Sequence, residues 1–329
     1  MSAQDDEAVG MAFPAEARTA WQQYVARVNR YEATTRGQLT DVRADEVRMK
    51  GCGSVGVSGA WALGGGYRSS PHSQTREGWA VNGINSAYSF RLVRDAEDAD
   101  WRVHRLEWLS QDLGTHSFEE LELPPKHPVV TTAEVQAVWH SQMRTLCQGL
   151  MLSGIWFPSM IESPDFVLQS VENVESEGEV LVRVQFDYVP DDPFLTRVRG
   201  GFVLLDPNRY WLIREAKVRG DWGDGSVGEI IISQEYDSSL DEIPLPTHRQ
   251  EHWIGIMNDG ESAHHVAETW YDGWKRSSQN EVDFQLTAFG LPEPQPPQRR
   301  PRMWIWIAFH AVVGGCLAIW YFVRKRETG

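Results

Sequence analysis

The chain is short of cysteine. It has three in 329 residues (Cys52, Cys147 and Cys316), too few for a disulfide framework. It also lacks any excess of basic charge. Against 31 Lys and Arg stand 46 Asp and Glu, a formal net charge of -15, which excludes a general nucleic-acid binder with its basic face. There is no P-loop, no G-x-S-x-G elbow and no C-x-x-C pair. The opening residues, MSAQDDEAVGMAFPAEARTAW, have neither a basic n-region nor an apolar h-region, so they do not read as a secretory signal. Alternating strand–helix–strand units are missing too, which excludes a doubly wound parallel sheet.

What is present is 41% hydrophobic, enough to bury a core. The charge is unevenly spread. Six basic residues (Arg299, Arg300, Arg302, Arg324, Lys325, Arg326) and one acid, Glu327, lie from Arg299 onward, so 1–298 carries 25 basic against 45 acidic residues, a net of -20. So acidic a body is repelled by anionic lipid headgroups and should stand off a membrane. Between the basic clusters, residues 303–323 read MWIWIAFHAVVGGCLAIWYFV, with no Asp, Glu, Lys or Arg. As a helix this run spans about 31 Å, the thickness of a bilayer core. Trp304, Trp306, Trp320 and Tyr321 sit near its ends, where aromatic rings prefer the lipid–water boundary. It is expected to be a single transmembrane helix that makes the bilayer a partner of the chain. His310 within it reads as a neutral imidazole near one interface. Small pairs at i,i+4, Ala311 with Gly315 and Gly314 with Ala318, allow a weak helix–helix dimer. Three basic residues flank each end, so the positive-inside count does not assign the side on which the body lies.

Ahead of the span, Pro14 to Tyr31 has helical periodicity through Trp21, Val25 and Val28, with Pro14 placed in a first turn. Thr132 to Met151 reads as a second helix. Short aromatic and β-branched runs at Trp79–Val81, Tyr88–Val93 and Trp101–Leu109 predict strands. From Asp165 on the pattern is clearest, with strands expected at Phe166–Glu175, Glu179–Val189, Val198–Leu205, Tyr210–Arg219, Val227–Tyr236, Glu251–Met257, Ser262–Trp270 and Val282–Leu286. Asp224-Gly225 and Asp259-Gly260 supply hairpin turns, because Gly accepts positive φ. The expected fold is α+β, mainly antiparallel β: a curved meander sheet or incomplete barrel with two packing helices, plus the C-terminal transmembrane helix. The divisions are a β-rich domain over 1–290, a Pro-rich basic linker over 291–302, the span over 303–323 and a basic tail over 324–329.

Few motifs carry chemistry. Gly51-Cys52-Gly53-Ser54-Val55-Gly56 fits G-x-G-x-x-G, with Glu77 near the distance of a ribose-binding acid. The glycine-rich text that follows cannot be the helix that mechanism needs, so a glycine-rich strand pair or loop is expected. His248-Arg249-Gln250-Glu251-His252 fits H-x-x-E-H, in which two imidazoles on one helical face hold zinc beside a carboxylate base. Pro244, Pro246 and Gly255 leave little room for that helix. On a strand the two histidines would share a face about 13 Å apart, and His264-His265 would offer further ligands on opposite faces. Asp221, Asp224 and Glu229 surround a glycine turn without the alternation of an EF-hand. Cys52 and Cys147 have no assigned pairing. No catalytic, metal or cofactor residue is therefore assigned.

The layout, an N-terminal helix followed by an incomplete antiparallel barrel with an inserted helix, resembles the bacterial lipoprotein-localisation carriers and their lipid-binding relatives. Those carriers are soluble or lipid-anchored, whereas this chain has a C-terminal apolar run. More specifically, Asn85-Ser86-Ala87-Tyr88-Ser89-Phe90-Arg91-Leu92 and Asp283-Phe284-Gln285-Leu286-Thr287-Ala288-Phe289-Gly290-Leu291-Pro292-Glu293-Pro294 before a span resemble uncharacterised bacterial tail-membrane proteins. That resemblance implies no known activity. Leu291-Pro292-Glu293-Pro294, the span and Arg324-Lys325-Arg326 are also similar to a PEP-type surface-sorting tail, which implies an outward-facing body. Three functional readings follow: a membrane-anchored β-domain that binds a protein partner or an apolar ligand, a membrane-tethered zinc hydrolase using His248, Glu251 and His252, and a structural envelope or surface component.

Overall fold

The computed structural model describes residues 3–58, 61–69, 78–85, 87–108, 145–176, 178–190, 198–221 and 225–295. By compactness the chain divides into Met1–Pro292 and Glu293–Gly329. In the first unit, helix α1 (Ala3–Val28) leads into six strands: β1 (Tyr31–Asp41), β2 (Glu46–Ser58), β3 (Trp61–Ser69), β4 (Gly78–Ile84), β5 (Tyr88–Arg94) and β6 (Arg102–Trp108). A small hairpin, β7 (Met151–Leu152) with β8 (Ile155–Trp156), and the one-turn helix α2 (Phe157–Ile161) follow. Then come β9 (Phe166–Ser176), β10 (Glu179–Tyr188), β11 (Val198–Asp206), β12 (Leu212–Asp221), β13 (Val227–Asp237), β14 (Leu245–Ile256) and β15 (Ser262–Arg276).

Among the described residues thirteen strands form one antiparallel sheet, in the order β6-β5-β4-β3-β2-β1-β15-β14-β13-β12-β11-β10-β9. Two sequential meanders thus join along one long-range seam, β1 against β15, from Tyr31↔Arg276 to Asp41↔His265. The mainly antiparallel, unclosed sheet predicted from hairpin turns and alternation is what forms. In β12 the alternation is plain from Glu215 on: Ala216, Val218 and Gly220 are buried while Glu215, Lys217 and Arg219 face solvent.

One face carries α1. Phe13, Ala17, Trp21, Tyr24, Val25 and Val28 recur at three- and four-residue spacing and are all buried. They lie on the β9–β14 half of the sheet, where the Trp21 indole N–H donates to the Trp211 carbonyl (2.9 Å). Phe157 of α2 meets Trp21 edge-on at 6.0 Å, and Phe166 stacks on Phe186 at 5.0 Å.

The opposite face carries a second, smaller cluster. Tyr88, Phe90 and Leu92 of β5 are covered by a strap over 281–291 that contributes Leu286, Phe289 and Leu291. Asn85 pins it: its amide N–H donates to the Phe284 carbonyl (3.0 Å), and its Oδ1 accepts from Ala87 N (2.8 Å) and Tyr88 N (2.9 Å). The Leu286 N–H donates to the Tyr88 hydroxyl oxygen (3.1 Å). Gly83 makes room for this arrangement, because a Cβ there would lie 2.3 Å from the Phe90 ring. The two segments that resemble tail-membrane proteins are therefore one packed module.

Several expectations need correction. The first helix does not begin at Pro14. It starts at Ala3 and carries Pro14 in its interior at the loss of one backbone bond. It also ends at Val28, and Tyr31 already belongs to β1. Val282–Leu286 is not a strand but two 3₁₀ turns, Glu281–Phe284 and Leu286–Phe289. Asn280 Oδ1 accepts from Val282 N (3.1 Å) and Asp283 Oδ2 from Asn280 N (2.9 Å), local bonds that compete with a ladder. Tyr210 and Trp211 adopt positive φ and make a turn, so β12 begins two residues later than expected. β14 begins at Leu245 rather than Glu251, its ladder shifting register between Glu235 and Tyr236 to accommodate Pro246. The expected helix at 132–151 lies outside the described residues up to Arg144, and its last turn, Gln148–Leu150, is 3₁₀. No helix among the described residues is long and apolar enough to cross a membrane, and 303–323 lies outside them.

Replacing Asn85 by Ala removes three hydrogen bonds at once, those from the buried Tyr88 amide and the Ala87 amide and the one to the Phe284 carbonyl. The expected loss in unfolding free energy is about 2 kcal/mol. Urea denaturation followed by tryptophan fluorescence measures it, and an unchanged midpoint would show that the strap holds without Asn85.

Candidate functional site

The helix-bearing face is furnished differently on its two halves. Under α1 the β9–β13 half presents Val171, Val184, Phe186, Val203, Ile213, Val218, Ile230 and Ile232, all buried. The β1–β4 half presents Ala33, Val55 and Ile84 to the core and, beyond them, mostly glycine and alanine. Gly37 pairs with Gly51, Gly53 with Gly66, and Gly66 with Ala80. Alternation puts these residues on the same face as Ala33 and Val55, which belong to the main core. Backbone approach dictates the glycines: a Cβ on Gly53 would lie 2.4 Å from the Gly65 carbonyl oxygen, and one on Gly66 2.0 Å from that of Cys52. The result is a smooth strip, half-buried at Gly51, Gly53, Gly66 and Ala80 and bordered by the half-buried Leu39 and Met49.

At the boundary between the halves sits a buried polar network on β14. Arg249 and Glu251 are 5% and 8% exposed. Arg249 donates to the carbonyls of Met151 (3.1 Å) and Gln148 (3.4 Å) and to Glu251 Oε2 (2.9 Å). Glu251 Oε1 accepts from the Ser153 hydroxyl (2.7 Å) and the Trp253 indole N–H (2.8 Å). The Gln234 amide N–H donates to the Gln148 carbonyl (3.0 Å), and Tyr236 donates its hydroxyl proton to Ile213 O (2.6 Å). Burial pushes the Glu251 carboxyl up, but the Arg249 charge and the hydrogen bonds from Trp253, Ser153 and Arg249 outweigh it and hold the group below its ordinary value. Beside the network, the Tyr24 hydroxyl is fully buried and has no hydrogen-bond partner. Burial, then the nearby Cys147, raises its pKa further above normal. An orphaned hydroxyl in a core is rare and marks a place where a further polar atom fits.

The strand geometry decides the sequence motifs. His248, Glu251 and His252 lie on β14, so the helical H-x-x-E-H site is not formed and Glu251 points to the face opposite the two histidines. His248 instead stacks on Trp270 (5.5 Å) near Glu235 and Glu268. The G-x-G-x-x-G run is part of the β2–β3 pair, without the helix that a pyrophosphate needs, and Glu77 lies outside the described residues. Asp221 pairs with Arg199 (3.4 Å) and Glu229 with Lys217 (3.0 Å), while Asp224 lies outside the described residues. Cys52 is exposed and Cys147 buried, each a free thiol.

Sequence reasoning missed Arg249, Ser153, Trp253 and Gln148. Arg249 and Glu251 were hidden inside a motif read for its histidines. The β7–β8 hairpin that carries Ser153 had a local signal: Ser153-Gly154 between the apolar pairs Met151-Leu152 and Ile155-Trp156, at φ 46° and 81°.

No protein-family model matches the chain, and no curated protein matches it. Among solved structures it is similar to a domain from Vibrio parahaemolyticus described as an outer membrane lipoprotein-sorting protein, at 11% identity and a TM-score of 0.42, covering 83% of this chain and 97% of that one. It is also similar to a LolA superfamily protein from Nitrosomonas europaea, at 10% identity and a TM-score of 0.35, covering 80% and 96%.

Breaking the Arg249–Glu251 pair from one side, with Glu251→Gln, is expected to cost about 3 kcal/mol at neutral pH, whereas Arg249→Met with Glu251→Leu should recover most of it. The Glu251 pKa in the folded state lies below its ordinary 4.5. The pair's contribution is therefore full above that value and is lost as the pH falls through the folded-state pKa. Urea titrations at a series of pH values should show wild type and Glu251→Gln converging under acid; a gap constant down to strong acid would contradict this.

Proposed function

We propose that this chain is a single-pass membrane protein whose β-rich head holds an apolar, chain-like ligand on the β1–β4 half of its helix-bearing face. The observation that carries the reading is the contrast between the two halves of that face. One is filled by large side chains under α1, and the other carries, beyond Val55 and Ile84, a half-buried strip of glycine and alanine with no large side chain on it. A strip of this kind accepts an acyl chain lying along it, with van der Waals contact to the backbone and apolar burial worth about 0.8 kcal/mol per methylene. The orphaned Tyr24 hydroxyl offers a polar atom to the ligand's polar end. Anchoring rests on the 21 residues of 303–323, uncharged and flanked by arginines.

A second reading, a protein partner, is favoured by a different surface. Val227, Ile254, Ile256 and Met257 lie at one end of β13 and β14 and are 38–56% exposed.

Two outcomes are expected. Mass spectrometry of organic extracts from the purified full chain should find a co-purifying apolar molecule, and Ala80→Trp, which fills the strip, should reduce it by more than about fivefold while the protein stays folded. Equal content in both proteins would refute the site. Alkaline carbonate extraction should leave the full chain with the membrane pellet and release a chain ended at Arg302; release of both would refute the anchor.

A further inference from the structure

The face opposite α1 brings together two histidines that the H-x-x-E-H motif does not pair. On the β14–β15 hairpin, His252 stands opposite Val266 and His264 opposite Ile254, so the two imidazoles lie diagonally across the ladder. Their ring centroids are 5.4 Å apart, and His252 Nδ1 lies 3.1 Å from His264 Nε2. Both side chains are half-buried, and the two rings hydrogen-bond to each other.

We propose that His252 and His264 form a binding site for a divalent transition-metal ion of the zinc, nickel or copper class, held between His252 Nδ1 and His264 Nε2, with water completing the coordination. Metal–imidazole bonds of about 2.0–2.1 Å at a tetrahedral centre place the two nitrogens about 3.4 Å apart. The observed 3.1 Å therefore needs to open by only a few tenths of an ångström. The proton now shared between the rings moves to the outer nitrogen of the ring that donates it, so both inner nitrogens present lone pairs.

Three further features suit a cation here. The hairpin is tied at its tip by Met257 N to Glu261 O (2.7 Å) and Gly260 N to Met257 O (2.9 Å), so little ordering is left for the metal to impose. Glu268 shares this face, two ladder positions from His264, and favours positive charge at His252. The body around it is strongly acidic, which raises the local concentration of cations. Among the described residues no three His, Cys, Asp or Glu side chains converge as ligands, so this is a two-imidazole site of micromolar rather than structural-zinc affinity. Glu251, the carboxylate of the H-x-x-E-H pattern, lies on the other face and takes no part in this site.

The test uses the full, untagged chain in detergent and the metal ion alone, Zn²⁺ by calorimetry and Cu²⁺ by electron paramagnetic resonance. Wild type and His248→Gln, whose ring stacks on Trp270, should each bind one equivalent with a two-nitrogen copper signature. His252→Gln and His264→Gln should each weaken binding at least about tenfold, with far-UV circular dichroism and Tm unchanged. Retained wild-type affinity in either variant would overturn the site. So would a one-nitrogen signature in the wild type, which needs no variant to fold, or no uptake at millimolar Zn²⁺.

Discussion

The pairing of β1 with β15 is the constraint on which the molecule depends. It joins residues more than 220 apart in the chain and converts two hairpin meanders into one sheet. Each meander alone is a series of local hairpins with two edges, and only the seam removes an edge from each. Loop closure over such a distance costs entropy that no single contact returns, so the seam is stable only with the packing on both faces. The seam also fixes where the two ends of the chain emerge. α1 enters beside β1 and Ser277 leaves beside β15, tied by Ser277 N to Arg30 O (2.7 Å). Each terminal segment then covers the other meander. The helix that precedes β1 packs on the β9–β14 half, and the strap that follows β15 packs on β4 and β5 from the opposite face.

The legible part of this architecture was whatever depends on neighbours in sequence. The alternation in 183–188 and the Asp-Gly pair at 259–260 are local, and they marked β10 and the turn between β14 and β15 within a residue or two, while the far ends of those two strands, Leu245 and Arg276, lie well beyond the expected Glu251 and Trp270. The strap shows the opposite case. Val282, Phe284 and Leu286 alternate like a strand, yet Asn280 and Asp283 satisfy the backbone locally, Val282 stays exposed, and Leu286 finds its partners on Tyr88 and Phe90 about 200 positions earlier. Alternation records which residues want burial, not whether a ladder or a turn presents them. The glycine run at 51–66 was legible only as a strand pair or a loop, because the reason for its glycines is the close approach of strands that a sequence does not display.

The candidate site was less legible than the fold for the same reason. H-x-x-E-H is a statement about a helix, and the period of a strand rearranges it. His248 and His252 go to one face, Glu251 to the other, and His264 from the next strand becomes the true neighbour of His252. Arg249, the residue with the most consequential bonds in the segment, has no signature at all. Its partners are two main-chain carbonyls roughly one hundred residues away, and any sequence could supply those.

That choice of partners explains why an ion pair is buried where grease would serve. Desolvating Arg249 and Glu251 costs several kcal/mol, and well-packed apolar residues of the same volume would be as stable or more so. What they could not provide is direction. Arg249 reaches Gln148 O and Met151 O together, Glu251, steadied by Trp253 of its own strand, reaches Ser153, and only one placement of the 148–153 segment satisfies all three. Apolar contacts alone would let that segment settle in several similar positions, and an apolar molecule on the adjoining glycine strip would compete for them. Such a molecule cannot compete for a guanidinium and a carboxylate. A border held by directional polar bonds therefore keeps its shape whether the neighbouring surface is bare or covered, which is what the proposed binding of an apolar ligand requires.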